Sequence, residues 1–184
     1  MQKFVYSLHG SARSVEFIGD SLSALRAFPD AAKHEAGHQI HRVQTGRPSA
    51  DWKPMSSIGV GVREIRIRDD CKQGPRTRKI EVSEARIGGW LMKSKRFANV
   101  CHAIEDDPEL ADNLRLRSEL MMALRDRIEA AGLTQVEAAA QLGVTQPRIS
   151  DLLRGKIDVF SLDALVRLAH AAGLRVTMEV QPAA

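Results

Sequence analysis

Three side chains close together in the chain, Gln146, Arg148 and Ser150, carry the groups needed to read the edges of base pairs. A glutamine amide can pair bidentately with adenine, an arginine guanidinium can pair bidentately with guanine, and a serine hydroxyl can serve either. Just beyond them stand Arg154 and Lys156. Basic side chains of this kind hold phosphates, which fixes the register of a protein on a duplex without reading its sequence.

Such groups work only if a short helix presents them, and the surrounding sequence supplies one. Thr134 with Glu137 forms a capping box that starts a helix at Gln135, and Val136, Ala139, Ala140 and Leu142 give it a buried face before Gly143 stops it. Thr145 can cap a second helix, with Pro147 in its first turn, where a missing donor costs little. Ile149, Leu152 and Leu153 then face inward, leaving Gln146, Arg148, Ser150 and Asp151 toward solvent. Crossed over a shared core, two such helices expose the N-terminal half of the second, and a helix fits the major groove. The competing reading is an ordinary helical packing unit with a solvated polar face.

The flanks complete a small helical domain. Asn113 to Ala131 predicts a long helix with Leu120, Leu124 and Ile128 in a stripe that Leu116 and Met121 broaden, closed by Gly132 in the left-handed cap position. Ser161 caps another helix whose Leu162, Leu165, Val166 and Ala169 point inward before Gly173. The tail alternates Leu174, Val176, Met178 and Val180 against Arg175, Thr177 and Glu179, which predicts a strand. A lone strand leaves its backbone groups unpaired, so pairing with a second copy is expected, giving a two-fold dimer suited to a palindromic operator.

Residues 113–180 resemble a helix-turn-helix domain of the Cro and C1 repressor class, found in transcription regulators and antitoxins. Ala139, Gly143, Val144, Ile149 and Leu152 answer its pattern of small residue, turn glycine and hydrophobes. The resemblance implies that Gln146, Arg148 and Ser150 face base edges, with Gln135, Thr145, Arg154 and Lys156 near the DNA backbone. The implied partner is a double-stranded operator, with no cofactor.

Two other constellations invite chemistry. His34-Glu35-Ala36-Gly37-His38 satisfies the letters of the HExxH metalloprotease motif, with His41 one turn further on. A glycine interrupts that short helix, so a polar helical face is expected and no metal. In Val62 to Asp70, Val62, Ile65 and Ile67 are flanked by Arg63, Arg66 and Arg68, which predicts a strand with one apolar and one cationic face, available to RNA or an acidic protein.

Residues 3–70, through HGSARSVEFIGDSLSALRAFPDAA, DWKPM and VREIRI, resemble the first half of a phage-derived toxin of the host-inhibition class, related to ribosome-dependent messenger RNA interferases. That family implies two helices before an antiparallel sheet, with catalytic basic and aromatic residues on later strands. After Asp70 the chain departs from the pattern, so a truncated toxin-like region is expected, without catalytic residues. Residues 71–91 read as a linker with a short helix around Val82 to Ile87. From Met92, MKSKRFANVCHAIEDDPELADN resembles the start of the partner antitoxin, with Phe97, Val100 and Ile104 on one helical face before Asp107 and Pro108 break it.

Composition sets the outer bounds. The chain has 184 residues, 27 basic and 23 acidic, for a formal net charge of +4. Residues 113–184 hold nine basic and eight acidic side chains, so binding would rest on placement and not on a strong field. Lys3 to Leu8 predicts an early short strand, while the two lone cysteines Cys71 and Cys101 and the lack of a signal-peptide core or a long apolar run point to a cytoplasmic protein off the membrane. The expected fold is α+β: a toxin-like region (1–70), a linker (71–91), and an antitoxin-like region (92–184) containing a helix-turn-helix domain (113–173) and a dimerisation strand (174–180). The expected function is that of a DNA-binding regulator, not an enzyme, able to pair with a cognate toxin. The alternative is interferase activity in the N-terminal region, restrained by the C-terminal one.

Overall fold

The computed structural model describes residues 13–57, 62–69, 76–83 and 94–177. The expected strand Lys3 to Leu8, and Cys71, lie outside the described residues. β1 (Val15–Ile18) leads into α1 (Ser21–Arg26) and α2 (Asp30–Gln44), followed by β2 (Trp52–Pro54), β3 (Val62–Asp69), β4 (Arg76–Ser83) and β5 (Ser94–Phe97). Helices follow: α3 (Cys101–Ile104), α4 (Pro108–Ala130), α5 (Gln135–Leu142), α6 (Gln146–Arg154), a 3-10 turn (Ile157–Val159) and α7 (Leu162–Ala171). The architecture is mixed α+β, with strands toward the N-terminus and a helical bundle at the C-terminus.

The strands form two antiparallel sheets, one ordered β2-β3-β4 and the other pairing β1 with β5. Ile65 and Ile67 are fully buried beneath the larger sheet, where β3 packs on α2. The other flank of α2 meets α3, α4 and the 3-10 turn. One hydrophobic cluster therefore runs from Phe17 to Ala172, taking in Ile40 and Ile65 as well as Leu124, Ile149 and Leu165.

Several expectations are corrected here. Arg76–Ser83 is a strand, not part of a linker, and it takes Val82 from the expected helix, whose residues 84–87 lie outside the described ones. Its exposed Thr77, Lys79 and Glu81 alternate with half-buried Arg78, Ile80 and Val82, a period of two that is hard to see among so many charges. Phe97 ends β5 and packs edge-on against Phe17, so only Val100 and Ile104 belong to the short helical segment. Asp107 and Pro108 begin a helix instead of only ending one: the Asp107 carboxylate accepts from the Glu109 amide at 2.9 Å, and Pro108 occupies the first turn, where no amide is needed. Leu174–Thr177 has no strand structure; Leu174 and Val176 pack on the chain's own core, and Met178 to Val180 lie outside the described residues.

Local signals bound α5 and α6 as the sequence implies, but the buried face of α5 is Ala138, Ala139 and Leu142, while Val136, 68% exposed, and Ala140 stand at the surface. Thr134 Oγ1 accepts from the Glu137 amide at 3.3 Å while Glu137 Oε2 accepts from the Thr134 amide at 2.8 Å. The backbone and then the side-chain hydrogen bond from Thr134 hold the Glu137 carboxyl below its usual range. Gly143 adopts φ +66°, which lets the Val144 amide reach the Ala139 carbonyl at 3.0 Å and turns the chain toward α6. Thr134→Ala removes the cap's hydroxyl and should lower unfolding free energy by about 1 kcal/mol. The urea midpoint should fall with an unchanged denaturant slope; an unaltered midpoint would mean that water replaces the cap at no cost.

Candidate nucleic-acid interface

The N-terminal half of α6 stands at the surface. Gln146 is exposed, and its Nε2 donates to Oε1 of Gln135 at 2.5 Å, tying the first residues of α5 and α6 together. That bond uses one amide hydrogen and leaves Gln146 Oε1 and the second hydrogen for a ligand. Ile149 and Leu152 anchor the opposite face in the core.

Arg148 departs from the solvent-facing position expected of it. It is half-buried, with Cζ 4.1 Å from the centroid of the Phe160 ring. Its guanidinium has no hydrogen-bond or ion-pair partner among the described residues. The cation is thus held over the ring while its N–H groups have no hydrogen-bond partner among the described residues. Ser150 and Asp151 are likewise half-buried rather than open, with the Ser150 carbonyl accepting from Arg154 Nε at 3.3 Å.

The residues expected near the DNA backbone divide in two. Gln135 and Thr145 are exposed at the starts of their helices; Thr145 occupies the cap position of α6 without a side-chain capping bond. At the other end, Arg154 Nη2 lies 3.4 Å and Lys156 Nζ 4.0 Å from Asp151 Oδ1. Both cations are therefore grouped on one carboxylate where α6 ends.

The C-terminal end of α6 is held by groups that sequence reasoning did not single out. Arg125 of α4 donates from Nη1 to the Leu153 carbonyl at 2.8 Å, and Gln39 of α2 donates to the Arg154 carbonyl at 3.0 Å. A cation and an amide here satisfy orphan carbonyls and oppose the negative end of the helix dipole. Gln39 also accepts from the Ala50 amide at 2.8 Å, so one side chain joins α6 to the segment before β2. The signal for Gln39 was present only as one more polar residue on a helix.

The histidines of α2 tie that helix to other parts of the fold. His34 donates from Nδ1 to Asp158 at 2.8 Å and from Nε2 to Glu105 at 2.9 Å. Burial alone would lower its pKa, but the hydrogen bonds and charges of Asp158 and Glu105 prevail and raise it. His38 Nδ1 is hydrogen-bonded to Ser118 Oγ at 2.7 Å, and His41 Nδ1 accepts from the Asn99 amide at 3.2 Å. The three rings thus go to three separate destinations, and among the described residues no group of three or more His, Cys, Asp or Glu could hold a metal ion. Gly37, within the HEAGH segment, gives close packing: a Cβ there would overlap the Ile104 side chain.

Arg63, Arg66 and Arg68 do not form one cationic face. Alternation along β3 places Arg63 on the side of Ile65 and Ile67, over the Trp52 ring at 4.7 Å, with Val62, Glu64, Arg66 and Arg68 on the other. There Arg66 Nε donates to Glu64 at 3.0 Å, Lys79 lies 3.2 Å from the same carboxylate, and Arg68 lies 3.6 Å from Asp51. The side-chain bonds from Arg66 and Lys79 hold the Glu64 carboxyl below its usual range. The sheet surface is a charge-compensated network.

Comparison with known proteins gives two family matches. Residues 103–181 match the family described as a helix-turn-helix domain. Residues 23–74 match the family described as phage derived protein Gp49-like. No curated protein matches the chain. A helix-turn-helix domain is thus present beside an unrelated phage-derived domain, and the former supports a DNA-binding regulatory role. Among the described residues, no helix is long and apolar enough to cross a membrane.

Proposed function

We propose that the protein is a sequence-specific DNA-binding transcriptional regulator of the antitoxin type, which represses a toxin–antitoxin operon by occupying its operator. The observation that carries this reading is the surface of α6: an exposed Gln146 braced by Gln135, beside an Arg148 whose N–H groups have no partner among the described residues. Gln146, Arg148 and Ser150 read bases, with Gln135, Thr145, Arg154 and Lys156 on the backbone. Residues 1–70 are a toxin-derived region and residues 92–184 an antitoxin-like one, joined in a single chain. A homodimer on a palindromic operator supplies affinity that one short helix lacks, and a cognate toxin is a further partner.

The test is selection of bound duplexes from a random DNA pool by the full chain. Arg148→Ala should then relax preference at one base pair, costing about 1–3 kcal/mol of discrimination. Lys156→Ala should weaken all duplexes alike and reduce the salt slope by about one. Recovery of no preferred sequence would overturn the regulator reading. An equal loss on every duplex for Arg148→Ala would move that residue to the backbone.

A further inference from the structure

Resting on the DNA-binding reading above, we propose that Phe160 is a positioning residue for sequence recognition: its ring holds the Arg148 guanidinium in one plane, so that its N–H edges meet a base already oriented. The ring is 1% exposed and lies beyond the 3-10 turn, twelve residues from Arg148 in the chain. Its face lies against the guanidinium, Cζ being 4.1 Å from the centroid. A phenyl ring has no oxygen or nitrogen to occupy the guanidinium's donors, and none of them has a hydrogen-bond partner among the described residues.

The seat of that ring is itself fixed from two directions. Arg117 of α4 donates from Nη1 to the Ile157 and Phe160 carbonyls, each at 3.2 Å, closing the turn that carries the ring. Asp158 within the same turn accepts from His34 of α2 at 2.8 Å. A side chain stacked in this way has fewer conformations to lose on binding than a free arginine, and that saving goes to the base it is oriented toward. The phage-derived region is thereby coupled, through His34 and the 3-10 turn, to the orientation of a base-reading group.

Phe160→Leu and Phe160→Met keep an apolar side chain in the seat but remove the aromatic face. Binding of the full chain to a selected duplex, and to duplexes changed one base pair at a time, measures discrimination for each. The expected result is a loss of roughly three- to tenfold in discrimination at the base pair affected by Arg148→Ala. Discrimination elsewhere, and the salt slope, should stay as in the wild type. In an Arg148→Ala background the same substitutions should cost nothing further there, because coupled residues do not add. Phe160→Trp, which restores an aromatic face, should recover preference. Full discrimination in both Leu and Met variants, where Arg148→Ala loses it, overturns the role of Phe160 alone. Equal wild-type affinity for selected and random duplexes overturns the DNA reading and the positioning with it.

Discussion

Gly155→Val should lower the unfolding free energy by about 3–5 kcal/mol, from backbone strain and overpacking together. Gly155 closes α6 at φ +85°, a left-handed conformation that a β-branched residue adopts only under strain. Space is denied as well. A Cβ built there meets Gln39 Nε2 and lies 2.7 Å from His38 Cδ2. Neither neighbour yields cheaply: Gln39 spans the Arg154 carbonyl and the Ala50 amide, and the His38 ring is tied to Ser118. Moving Gln39 would therefore uncap α6 and release the segment before β2.

Gly143 provides the control. It has a similar φ of +66°, but a Cβ there would meet nothing within 4 Å. Gly143→Ala should cost only about 1–2 kcal/mol, the conformational strain alone. Denaturant unfolding of Gly155→Ala beside Gly143→Ala isolates the packing contribution at the junction between α6 and α2. Equal losses for the two alanine variants would show that the junction opens in solution, and would remove the route from α2 to α6.

What the sequence made legible follows from the range of the interactions. The capping box at Thr134, the turn at Gly143 and the apolar spacing of Ile149 and Leu152 are local patterns, and each lies where it was expected. Strand β4 was hidden because its pairing partner lies across a connection and half of its own residues are charged. Arg148 looked free because the ring covering it arrives from beyond the next turn. The polar residues of α2 read as a solvated face, yet His34, His38, Gln39, His41, Arg42 and Gln44 are all buried. A helix covered by a sheet on one side and helices on the other has no solvated face to give them. They are stabilised only by specific partners, which a one-dimensional pattern does not reveal.

Those buried rings should make the fold acid-labile. His41 is 2% exposed and its pKa is lowered from 6.5 to about 4, chiefly by burial, with the Gln44 side chain opposing the effect and Arg115 and Arg47 adding to it. His38 moves in the same direction, through burial and then the charges of Arg42, His41 and Arg125. A depressed folded pKa means that the unfolded chain binds the proton first, so the contribution is whole above pH 6.5 and is lost as pH falls toward 4. For His41 alone the loss amounts to about 3 kcal/mol. His34 has the opposite sign: its raised pKa gives stability that is complete below 6.5 and is lost only as pH rises through the raised value. It therefore stays constant across the acid window and offsets nothing there. Unfolding free energy measured in urea should fall steeply between pH 6.5 and 4.5. In His41→Asn, which keeps a polar group but cannot charge, the fall should be shallower by up to one proton's slope, about 1.4 kcal/mol per pH unit. A wild-type profile flat over that range, or an Asn variant with an unchanged slope, would mean that His41 takes up its proton without leaving the folded state.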